Sequence, residues 1–141
     1  MKWSYKICFF ALSVVVLFFS RGMILSDDVV QEEFSPLQKE ADKIVHPPWI
    51  KLEERRSTSR LGGRATTISY VIQIEESKVK DIATYYDNQV RDNDWLFKGK
   101  SLEKISESIY YLYEKDEMIF RLYVPNENSK APPSITFGYA K

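Results

Sequence analysis

The chain has 141 residues, with 20 basic and 20 acidic side chains, one His and one Cys. Balanced charge gives no global field toward nucleic acid. One Cys and one His exclude an internal disulfide, a zinc cage of several Cys and His ligands, and any nucleophile–His pair that does not use His46.

The zero total conceals strong local differences. Residues 1–25 carry Lys2, Lys6 and Arg21 and no acid, which gives +3. Residues 26–50 carry −4, residues 51–64 carry +3, and residues 65–141 carry −2. The order is a basic head, an acidic segment, a basic strip and a mildly acidic remainder. It suggests three parts: a signal or anchor over 1–25, a tether and linker over 26–65, and a globular module over 66–141.

Residues 7–19 are apolar throughout and follow Lys2 and Lys6. A basic head before such a run is the layout of an export signal. As an uncleaved anchor, residues 7–25 nearly span a hydrocarbon core of about 30 Å. The basic head then stays inside and the acids follow outward, so the N-terminus is cytoplasmic and the C-terminal part extracytoplasmic. This is the preferred expectation. The alternative is cleavage near Gly22, where Ser20 and Gly22 supply the small residues, leaving a secreted or periplasmic chain. Cys8 sits at the start of the apolar run, whereas a lipid-attachment cysteine follows one.

Residues 27–34 read as an acidic tether. Ser35-Pro36-Leu37-Gln38 predicts a helix start, with Ser35 as cap and Pro36 in the first turn. Leu37, Ala41, Ile44 and Val45 form one apolar stripe, and Pro47-Pro48 stops the helix. Residues 49–52 suggest a short strand, and residues 53–65 a polar loop ending in Gly62-Gly63.

Residues 66–75 alternate strictly and predict a half-buried strand. Ser77 can cap a helix in which Val79, Ile82, Ala83, Tyr86 and Val90 keep helical spacing, closed by Asn93-Asp94. Trp95-Leu96-Phe97 enters a strand that stops at Gly99, and residues 100–107 carry no pattern. Residues 108–114 and 118–124 predict a hairpin about Lys115-Asp116-Glu117, and residues 134–140 a last strand. This order predicts an α+β module with one helix packed on a mostly antiparallel sheet of about five strands. Trp95, Phe97, Phe120 and Tyr86 are its expected core aromatics.

No constellation points to catalysis. His46 sits between a helix end and two prolines, where a cation is favourable. Glu75-Glu76, Asp92 with Asp94, and Asp116-Glu117 fall at element ends and turns, where carboxylates are simply solvated. Gly62-Gly63 with Arg60 and Arg64 lacks the phosphate-loop pattern, and a strand rather than a helix follows. No catalytic residue, metal or cofactor is expected.

Two features suggest binding. The first is the basic strip Arg55, Arg56, Arg60 and Arg64, suited to anionic lipid headgroups, a wall polymer or an acidic partner. The second is the tyrosine excess, nine in the chain. Tyr110 and Tyr111 are adjacent in a strand and face opposite sides. One of them, with Tyr113 or Tyr123, is expected to line an exposed aromatic face. The expected function is a non-enzymatic, membrane-anchored or exported domain that binds another envelope protein. The alternative is a ligand-binding module for cell-wall glycan or anionic lipid.

Overall fold

The computed structural model describes residues 31–58, 66–104 and 107–140. The signal or anchor segment lies outside the described residues. The chain forms two compact units, Met1–Glu33 and Phe34–Lys141, and the fold described below is that of the second. No helix among the described residues is long and apolar enough to cross a membrane.

Six strands form one sheet: β1 (Lys51–Ser57), β2 (Thr67–Gln73), β3 (Leu96–Glu103), β4 (Ser108–Lys115), β5 (Met118–Pro125) and β6 (Ser134–Tyr139). Their spatial order is β1-β2-β6-β5-β4-β3, and every neighbouring pair is antiparallel. Two helices are described, α1 over residues 31–41 and α2 over Val79–Asp92. The α+β class is as expected, with a sixth strand and a second helix in the fold.

The sixth strand is β1, which takes up residues 53–57 from the expected loop. Lys51 and Leu52 fall in the short strand expected over residues 49–52, and the charge of the following residues hid the rest. Edge strands tolerate charge on both faces, and residues two apart on a strand share a face. Arg55 pairs with Glu53 at 2.9 Å, and Arg56 with Glu54 at 2.6 Å, so each face neutralises its own charge. The sheet therefore reaches back into the segment expected to be linker.

α1 also departs from expectation. The helix is already formed at residue 31, so Ser35 is not its cap and Pro36 lies within it. Proline removes a helical hydrogen bond, but Phe34 and Leu37 on either side are buried and hold this turn in place. The helix ends at residue 41, well before Pro47. Tight bonds from Lys43 N to Glu40 O and from Ile44 N to Ala41 O then turn the chain.

α2 follows a 3-10 turn over Glu76–Lys78, and no side chain caps it, so Ser77 lacks the predicted role. Its C-terminus is closed by a Schellman motif. Trp95 N donates to Val90 O at 3.0 Å, and Asp94 N donates to Arg91 O at 3.1 Å. Asp94 takes φ 65°, the left-handed position usual for glycine here, which Asp tolerates better than most residues.

Both helices pack on one side of the sheet. The strand registers define a row across that side: Arg56, Ile68, Phe137, Phe120, Tyr113, Phe97. The next row is Glu54, Tyr70, Ile135, Leu122, Tyr111, Lys100. The central members of these rows are buried under Leu37, Ile82, Tyr86, Val90 and Trp95. Trp95, Phe120 and Tyr86 are in the core as expected. Phe97 is not: it ends its row on the outer strand β3 and is 41% exposed.

Candidate functional site

No described element covers the other side of the sheet. The registers and the pleat give its rows as Arg55, Ser69, Thr136, Arg121, Leu112 and then Glu53, Val71, Ser134, Tyr123, Tyr110, Ser101. Tyr110 and Tyr123 stand directly opposite each other on β4 and β5, with ring centroids 6.0 Å apart. Both are half-buried. Arg121 lies two residues from Tyr123 on the same face and forms no ion pair among the described residues. Ser69 and Thr136 bond hydroxyl to hydroxyl at 2.9 Å beside it.

The structure separates the sequence candidates. Tyr110 and Tyr123 share the uncovered face. Tyr111 and Tyr113 point to the helix side. Tyr113 is fully buried, so it cannot line an exposed face. Its hydroxyl donates to Asp87 Oδ1 at 2.6 Å. Burial first, then the Asp87 carboxylate, raises its pKa far above that of free tyrosine.

Of the basic strip, Arg55 and Arg56 are among the described residues. Arg55 and Arg56 lie on opposite faces of β1, each held by its own glutamate. Arg56 also donates to Gln38 at 2.8 Å and stacks 5.5 Å from the Phe34 ring centre, which ties β1 to α1. Arg60 and Arg64 lie outside the described residues.

His46 has a structural role different from the one expected. α1 ends at residue 41, so the imidazole is not at a helix terminus. It sits against Tyr70 and Tyr86, with Nδ1 2.8 Å from the Tyr86 hydroxyl. Burial lowers its pKa below the ordinary 6.5, which favours a neutral ring able to accept the phenol proton. Burial raises the Tyr86 pKa strongly, so the phenol keeps that proton. Among the described residues, no three His, Cys, Asp or Glu side chains gather as a metal site.

Among the described residues, two hollows bear on the candidate site. One of about 640 Å³ opens at the N-terminal end of α2, between Ile72, Val79, Val124 and the loop through Pro133. The other, about 420 Å³, lies along the C-terminal half of α2 and is lined by Asp87, Arg91, Phe97, Lys100 and Tyr111. Sequence gave no signal for the second. It joins a helix face to an outer strand through a bulge at Lys98, where the β3–β4 register shifts between Phe97 and Gly99. Arg121 was equally hidden, since only the sheet order places it beside the tyrosine pair.

The chain matches no model of a known protein family, no curated protein and no solved structure.

Proposed function

We propose that the chain is a non-enzymatic domain, tethered by its N-terminal segment or exported by it, that binds another envelope protein. The uncovered sheet face is the binding surface. One observation carries the reading: Tyr110 and Tyr123 form an aromatic pair beside Arg121 on a face that no described element covers. Tyrosine and arginine are enriched in the energetic centres of protein interfaces. The apolar run over residues 7–19 supports the envelope location. The bonded, half-buried His46 favours a structural over a catalytic role.

The test is a photo-crosslinking residue placed at position 123 of the full-length protein in its native membrane. One reproducible protein adduct is expected. Tyr110→Ala in the same chain should reduce the adduct about tenfold or more, while the domain stays folded with a cooperative unfolding transition. An adduct that forms equally well from position 80 on the helix side would reject this face. Retention by wall glycan or anionic vesicles without any protein adduct would transfer the function to the ligand-module alternative.

A further inference from the structure

The two outer strands of the sheet are built in opposite ways. β1 exposes charge, and its four central charges are mutually paired. β3 exposes apolar surface: Leu96 at 67%, Phe97 at 41% and Leu102 at 56%. Three of the five exposed large apolar side chains among the described residues lie on this one strand. Its outer edge has no strand beside it among the described residues. An edge of this kind is a ready template for pairing with another chain.

The charge on β3 decides what can pair with it. Lys98 is held by Glu114 at 2.9 Å. Lys100 has no ion pair among the described residues, and Lys104 follows it exposed. A second copy paired antiparallel about Lys100 would set one Lys100 against the other, which is unfavourable. An acidic strand would meet these lysines.

The 420 Å³ hollow beside β3 adds a second feature. Asp87 is already neutralised, since Arg91 Nε lies 2.9 Å from both its oxygens and Tyr113 donates to it. Among the described residues, the hollow still offers donors: the terminal nitrogens of Arg91, the Lys100 ammonium and the hydroxyls of Thr84 and Tyr111. Phe97 supplies the apolar wall, with Arg91 5.5 Å from its ring centre. A side-chain carboxylate fits that set, because charged donors bind it more strongly than neutral ones.

We propose that the outer edge of β3 accepts an extended acidic segment of a partner protein as a seventh strand. One carboxylate of that segment occupies the hollow between Lys100 and Arg91, and its apolar side chains cover Phe97 and Leu102. This surface is independent of the tyrosine face.

The test uses the full-length chain in detergent micelles and a labelled, end-blocked peptide of sequence VTETVTETV, with VTKTVTKTV as control. Fluorescence anisotropy should show saturable binding of the acidic peptide that weakens with added salt. Lys100→Glu should weaken it about tenfold or more, while Lys100→Arg and Tyr110→Ala leave it unchanged. Lys100 is exposed, so the unfolding midpoint of the charge-reversed chain should match the parent. Hydrogen exchange should slow at the β3 amides on binding. Equal affinity for both peptides, or no effect of Lys100→Glu, would overturn the proposal. A dimer with protected β3 amides in the absence of peptide would also overturn it, by assigning the edge to a second copy.

Discussion

Glu40 and Lys115 show how single side chains join the helical layer to the sheet. Glu40 projects from α1 and is 8% exposed. Burial alone would raise its pKa, but hydrogen bonds from Lys43 and Lys115 outweigh that and hold it below the ordinary 4.5. Lys115 reaches Glu40 and the Asn93 carbonyl, each at 2.9 Å, so one ammonium ties α1, β4 and the end of α2 together. Lys115→Met leaves a half-satisfied carboxylate in a poorly hydrated place and should cost about 2 kcal/mol at neutral pH. The urea midpoint at constant slope reads this. A depressed folded pKa gives stability that is full above 4.5 and is lost as pH falls through the lowered value. The gap between variant and parent should therefore narrow below that window. Neither partner stood out in the sequence, because a contact spanning 75 residues leaves no local pattern.

At the scale of elements, the described part of α1 and the segment after it are held by contacts with the rest of the fold. Leu37 is fully buried, and Ala41 and Ile44 continue its stripe. The following residues are strapped to α2: Tyr85 donates to the Val45 carbonyl at 2.9 Å, and Val45 N donates to Gln89 at 3.2 Å. Leu37→Ala should cost about 2–4 kcal/mol. Hydrogen exchange should then show the amides of residues 37–44 losing protection first, with the sheet amides following only at the global midpoint. Of the expected stripe, Leu37, Ala41 and Ile44 are buried, but Val45, which lies beyond the helix end, is 64% exposed. The helix ends were not legible in the sequence, because proline and cap signals were overruled by docking. The β4–β5 hairpin was legible, but the length of its turn was not. A turn at Lys115-Asp116-Glu117 would set Tyr110 against Leu122. The observed turn has only Asp116 and Glu117 between the strands, with Asp116 at φ 54°, and sets Tyr110 against Tyr123. One residue of turn decides which tyrosines share a face.

Across the whole molecule, the α+β layout was legible because strict alternation in β2 and helical spacing in α2 each report one buried face. The uncovered face was not, because sheet order is a property of pairing and not of any segment. Most of β1, beyond the short strand expected over residues 49–52, was hidden by charge, and Phe97 was misplaced because an outer strand buries only part of its ring. The whole fold is also pH-sensitive through one imidazole. The folded state lowers the His46 pKa by burial, so below 6.5 the unfolded chain takes up a proton that the folded chain resists. Stability should therefore fall as pH drops from 6.5 toward the lowered value, before the Glu40 window is reached. His46→Gln should flatten this first limb and leave the acid limb below 4.5 in place, as urea midpoints across that range would show.

The position of β6 has a further consequence, one of timing. The last strand in the chain is a central strand of the sheet, wedged between β2 and β5. Until residues 134–139 exist, the first two strands and the β3–β4–β5 meander share no seam. Synthesis delivers these residues after the other five strands, so the sheet cannot close while they are unmade or still inside the ribosome. A chain cut short before residue 134 would lose the piece that joins the two halves of the sheet.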